Sequence, residues 1–67
     1  MADDANALKK RIQEVGLNEL ASYPASWIDD VLTGICKKEK LPLTIENKMK
    51  FAAMLDSDLY HEFHSGE

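Results

Sequence analysis

Residues 26–38, SWIDDVLTGICKK, decide the fold. Apolar side chains fall at Trp27, Ile28, Val31, Leu32, Ile35 and Cys36, the i, i+1, i+4, i+5, i+8, i+9 spacing of a helix with a broad buried face. At about 100° per residue they cover about half the circumference and leave Asp29, Asp30, Thr33, Gly34 and Lys37 on the other half. Such a helix is central, with others packed on it. Gly34, on the polar side, marks either a close approach of another backbone or a tolerated weak point, and the second is favoured. Ser26 and Asp29 have the spacing of a capping box, which starts the helix at Ser26.

Working outward, the chain before this helix reads as two more. The first starts at Asp3 or Asp4, whose carboxylates suit a helix N-terminus, and runs to Val15, where Gly16 supplies a left-handed stop. Its stripe of Ala5, Leu8, Ile12 and Val15 is narrow, as on a peripheral helix. A short second helix takes Asn18 as cap, covers 19–22 and turns Leu17, Leu20 and Ala21 inward. Pro24 disfavours helical geometry at Tyr23, so the chain breaks there.

After Lys38, Pro42 stops the helix, and Leu41 and Leu43 are expected to pin the loop to the core. Thr44 caps a fourth helix over 45–55, with Ile45, Met49, Ala52 and Ala53 inward and Phe51, Leu55 and Met54 off the main face. The triplet Asp56-Ser57-Asp58 reads as a turn, followed by a last short helix containing Leu59, Tyr60 and Phe63. The expectation is an all-α, compact four- to five-helix domain over 1–67, a helix-turn-helix-like orthogonal bundle, with residues 1–3 and 65–67 disordered.

The 67 residues are 45% hydrophobic and 30% charged, ordinary for a globular domain and too apolar for a disordered one. A net charge of -4 and a pI near 5.0 weigh against a general nucleic-acid binder. The charge is unevenly spread. Residues 1–34 set Lys9, Lys10 and Arg11 against Asp3, Asp4, Glu14, Glu19, Asp29 and Asp30, whereas residues 35–55 set Lys37, Lys38, Lys40, Lys48 and Lys50 against Glu39 and Glu46. The single Cys36 excludes an internal disulfide, and neither a signal-peptide core nor a membrane-length apolar run is present, so a cytoplasmic protein is expected.

Over Leu8 to Leu59 the chain sets LKKRIQEVGL at 8–17, the Leu20-Ala21 pair, Trp27, Leu32 and Ile35, and KLPLTIENKMKFAAML at 40–55 in short helices and loops. With these residues the stretch resembles a small helix-turn-helix domain of the lambda-repressor (Xre-like) class. The resemblance implies that the third helix is the one that reads DNA, and it places Ile28, Asp29, Asp30 and Thr33 at the groove-facing positions. The segment Gly16 to Leu20 is about two residues shorter than that family's pattern, which removes the usual polar contact from the second helix. Adjacent carboxylates on the third helix would be repelled by phosphates, whereas Arg, Lys, Asn and Gln are the usual base readers. The scaffold is kept and the DNA-reading chemistry is not.

No catalytic constellation stands out. Asp29 and Asp30 diverge by about 100° and would not share one substrate. The sequence His61-Glu62-Phe63-His64 lacks the four-residue histidine spacing of the zinc proteases, and no metal or other cofactor is expected. Cys36 reads as a small buried hydrophobe. Lys37 and Lys38 complement the negative end of the central helix, and with Lys40 they are the candidate nucleic-acid contacts. Tyr23, Trp27, Phe51 and Tyr60 are candidate interface anchors, although the phase of Trp27 with Val31 and Ile35 favours the core.

The expected function is therefore that of a small non-enzymatic regulatory protein, phage-like or mobile-element-like. It would bind another protein with a basic surface through Tyr23, Asp29, Asp30 and Thr33. The alternative is a DNA-binding transcription regulator; DNA is disfavoured by charge, no membrane partner is implied, and the apolar Phe51, Met54 and Leu55 are compatible with a homodimer.

Overall fold

The structure, a computed structural model, describes residues 2–64. It is an all-α bundle whose four helices, among the described residues, are α1 (Ala2–Glu14), α2 (Asn18–Ala21), α3 (Ala25–Lys38) and α4 (Ile45–His64). The expectation of disorder at 1–3 and 65–67 falls, for 1 and 65–67, outside the described residues, while Ala2 and Asp3 belong to α1. Among the described residues no helix is long and apolar enough to cross a membrane.

The central role of α3 follows from its inward stripe. Ile28, Leu32 and Cys36, each one turn from the next, are fully buried, and α1 and α4 both pack on the helix. Leu8 and Ile12 of α1, Leu20 of α2 and Ala52 and Leu59 of α4 complete one core, with Leu17, Tyr23, Ile35, Ile45, Met49, Phe51 and Leu55 packed at its edge. Each large side chain withdrawn from water there contributes about 1.5–3 kcal/mol, so a core this small leaves little margin for a cavity.

Both ends of the central region close in the same way. At the end of α1, Gly16 N–H donates to Gln13 C=O and Leu17 N–H to Ile12 C=O, with Gly16 at φ 85°. At the end of α3, Lys40 N–H donates to Lys37 C=O and Leu41 N–H to Cys36 C=O, with Lys40 at φ 59°. These are paired Schellman caps, one with the expected glycine and one with a lysine in the left-handed position. The expected Thr44 cap of α4 is present, its Oγ1 accepting from Asn47 N–H at 3.2 Å.

Several expectations are corrected. The α3 helix begins at Ala25 behind Pro24, and no side chain caps it, so Ser26 and Asp29 form no capping box. The extended ψ and fixed φ of Pro24 place the N-cap two residues before Ser26. No turn interrupts Asp56-Ser57-Asp58; α4 runs through to His64, because Leu59 continues the buried stripe of Ala52 and Leu55 and Asp56 has a partner across the bundle. Val15 and Leu43 are 55% and 49% exposed, and Ala53 faces water, while Lys48 is buried on the inward face of α4. Trp27 is not core, with 36% of its surface exposed.

Candidate functional site

Because Ile28, Leu32 and Cys36 fix the inward direction of α3, the opposite face presents Trp27, Asp30, Gly34 and Lys37, all exposed. Thr33 lies on one flank, half-buried, and Asp29 lies further round toward α4. The two aspartates thus part company. Asp29 Oδ1 accepts from Lys48 Nζ at 2.7 Å, in a pair whose side chains are 26% and 10% exposed. Asp30 points outward and makes no hydrogen bond or ion pair among the described residues. The acidic surface of α3 therefore consists of one free carboxylate, not two.

Tyr23 is half-buried at the α2–α3 corner, and its ring stacks on Trp27 with centroids 4.2 Å apart and planes inclined by 19°. The spacing of the two residues across Pro24 brings this about, since the bend ends as α3 begins and carries Tyr23 back over the first turn. Phe63 arrives from the far end of α4, its ring 6.5 Å from that of Tyr23 and 63% exposed. Sequence reasoning did not group Phe63 with Tyr23. No spacing rule connects them, and only the unbroken α4 carries Phe63 that far.

The position of α2 beneath this corner is set from a distance. It has four residues, no side chain caps its start, and Leu20 N–H instead donates to Asp56 Oδ1 of α4 at 2.6 Å. A carboxylate there also suits the positive end of the helix. Asp56 was read in sequence as a turn signal; its actual role is to hold another helix.

The remaining candidates separate from this corner. Lys37, Lys38 and Lys40 are exposed and grouped at the C-terminal end of α3, where cations favour the helix dipole. Cys36 is fully buried. His64 stacks on Tyr60 at 4.1 Å, with Nδ1 2.8 Å from the Tyr60 carbonyl oxygen, and His61 meets the edge of the same ring. Among the described residues no three His, Cys, Asp or Glu side chains group as a metal site would require. A shallow depression of about 240 Å³ lies between α1 and the start of α4, lined by Ala7, Lys10, Arg11, Glu14 and Ile45, and sequence reasoning had not singled it out.

Comparison with protein-family models, with curated proteins and with solved structures gives no match to the chain. Of the four positions that the helix-turn-helix resemblance assigned to the DNA groove, Ile28 is fully buried and Asp29 is occupied by Lys48, which leaves Asp30 and Thr33.

Proposed function

We propose that this is a small cytoplasmic, non-enzymatic regulatory protein, in the style of phage and mobile-element factors, that acts by binding another protein with a basic surface. Its binding face is the outward side of α3 and the adjoining corner: Trp27, Asp30, Thr33 and Tyr23. The observation that carries this reading is the placement of Trp27. A tryptophan supplies more apolar area than any other side chain, and here 36% of it stays exposed, braced by Tyr23, next to an unpaired carboxylate. Rigid aromatic groups beside a charge are what binding hot spots are made of. The net charge of -4 favours a basic partner through steering as well as contact.

The test is affinity capture from host lysate treated with nuclease, using the wild type, Trp27→Ala and Asp30→Lys. The expected result is a specific protein retained by the wild type and lost by both variants, each with unchanged helix content. Retention of the same partner by both variants would remove the face from the reading.

A second reading has an observation of its own. Lys37, Lys38 and Lys40 are exposed together at one helix end, as a phosphate-contacting group would be. It makes the protein a DNA-binding regulator of helix-turn-helix type, acting as a homodimer. Charge reversal at the three lysines should then weaken a DNA complex and flatten its salt dependence. Absence of any complex with host genomic DNA at low salt sinks it.

A further inference from the structure

Three rings meet where the end of α4 passes the α2–α3 corner. Tyr23 stacks on Trp27, Phe63 tilts toward Tyr23 at 33°, and yet Trp27 and Phe63 remain 36% and 63% exposed. They form an aromatic corner that the core leaves partly uncovered. Leu59 is the last buried residue of α4, and beyond it Tyr60 and Phe63 are 49% and 63% exposed.

Asp30 completes the chemistry. It lies three residues after Trp27 on the same outward face, which places their Cβ atoms about 5–6 Å apart. The nearest cations along α3 are Lys37 and Lys38, more than two turns further on, and Lys48 is occupied by Asp29. A partly exposed indole beside an unpaired carboxylate fits a guanidinium. The ring's negative face attracts the cation, the planar group stacks flat on it, and the fork of N–H donors pairs with both carboxylate oxygens. An ammonium is a more strongly hydrated point charge and satisfies the first requirement without the other two. A second copy of the chain suits the corner poorly, because it would bring another acidic face against this one.

We propose that Tyr23, Trp27, Phe63 and Asp30 form a site for an arginine side chain on a basic protein segment. This rests on the reading of the α3 face as a protein-binding surface and names what that surface holds.

Trp27 is the only tryptophan in the chain and reports occupancy directly. The full-length protein is titrated with a blocked glycine-spaced peptide carrying three arginines, and with its lysine and citrulline counterparts. The arginine peptide should give a saturable change in Trp27 fluorescence, the lysine peptide should bind about fivefold more weakly, and the citrulline peptide should give no change. Asp30→Asn and Phe63→Ala should each weaken arginine binding about tenfold. Both residues are exposed and outside the core, so the variants keep their helix content. Glu46→Gln, the same charge change at the start of α4, should leave binding as it is. No saturable response to the arginine peptide, an equal response to citrulline, or wild-type binding by both Asp30→Asn and Phe63→Ala overturns the proposal. So does a fluorescence change on diluting the protein alone, which would place a second copy on the corner. If the arginine titration fails while a captured partner is still lost by Trp27→Ala and Asp30→Lys, the binding face stands and only its arginine chemistry falls. If the titration succeeds and no partner depends on those residues, the reverse holds.

Discussion

The ammonium of Lys48 on α4 sits 2.7 Å from the carboxylate of Asp29 on α3, and with 10% of its side chain exposed it has exchanged water for that partner. The pair ties the two helices together at the edge of the core, and its members depend on each other unequally. Asp29, at 26% exposure, turns back to water more readily if Lys48 is removed than Lys48, at 10%, does if Asp29 is removed.

Asp29→Asn should therefore destabilise the protein by about 1–3 kcal/mol, by leaving a poorly solvated charge without its counterion. Lys48→Met should cost less, about 0–1 kcal/mol. Urea unfolding followed by circular dichroism orders the two; equal costs would contradict the asymmetry. Asp29→Lys would set two ammonium groups against each other, so a charge reversal aimed at the binding face belongs at Asp30 alone.

Lys40 holds a left-handed backbone, φ 59°, at a position where Gly16 serves the other Schellman cap. Lys40→Gly should raise stability by about 0.5–1 kcal/mol and Gly16→Ala should lower it by about 1 kcal/mol. Midpoints of thermal unfolding moving in opposite directions are the expected readout, and a destabilised Lys40→Gly would mean that the lysine side chain contributes more than its backbone costs.

Gly34 lies on the exposed side of α3, and a methyl group added there meets nothing within 4 Å. The reading of a tolerated weak point therefore holds, and no other backbone approaches it. Gly34→Ala should stabilise the helix by about 0.4–1 kcal/mol. A loss of stability would reveal a neighbour at this position.

Cys36 is fully buried on α3. Its thiol should fail to react with a soluble disulfide reagent under native conditions and react at once in denaturant. Rapid native labelling would show that α3 opens locally far more often than a helix at the centre of a core should.

The apolar periodicity of α1 and α3 was enough to place both helices and most of their buried residues, because Leu8, Ile12, Ile28 and Leu32 recur at helical spacing whatever packs against them. Gly16 and Thr44 announced their caps for the same local reason. What failed was decided across the bundle. Trp27 shares the apolar half of α3 in projection, but the buried arc is narrower than that half and centres on Leu32, so the tryptophan falls outside it. Asp29 looked like a cap and Asp56 like a turn, since short polar side chains serve local backbone groups in most settings; here one is taken by Lys48 and the other by Leu20. The corner was half legible. Tyr23 and Asp30 were singled out from their surroundings, while Phe63 could be joined to them only after α4 was known to run unbroken.

The hydrogen bond from Leu20 N–H to Asp56 joins residues 36 positions apart and gives α2 a history as well as a place. Four residues cannot nucleate a helix alone, so α2 is templated by α4 and should be among the last elements to form and the first to open. Tyr23 follows two residues after its end, which ties the shape of the aromatic corner to a carboxylate on another helix. Anything that grips the corner should slow hydrogen exchange at the Leu20 amide, and Asp56→Ala should loosen that grip while leaving every contacting side chain in the sequence.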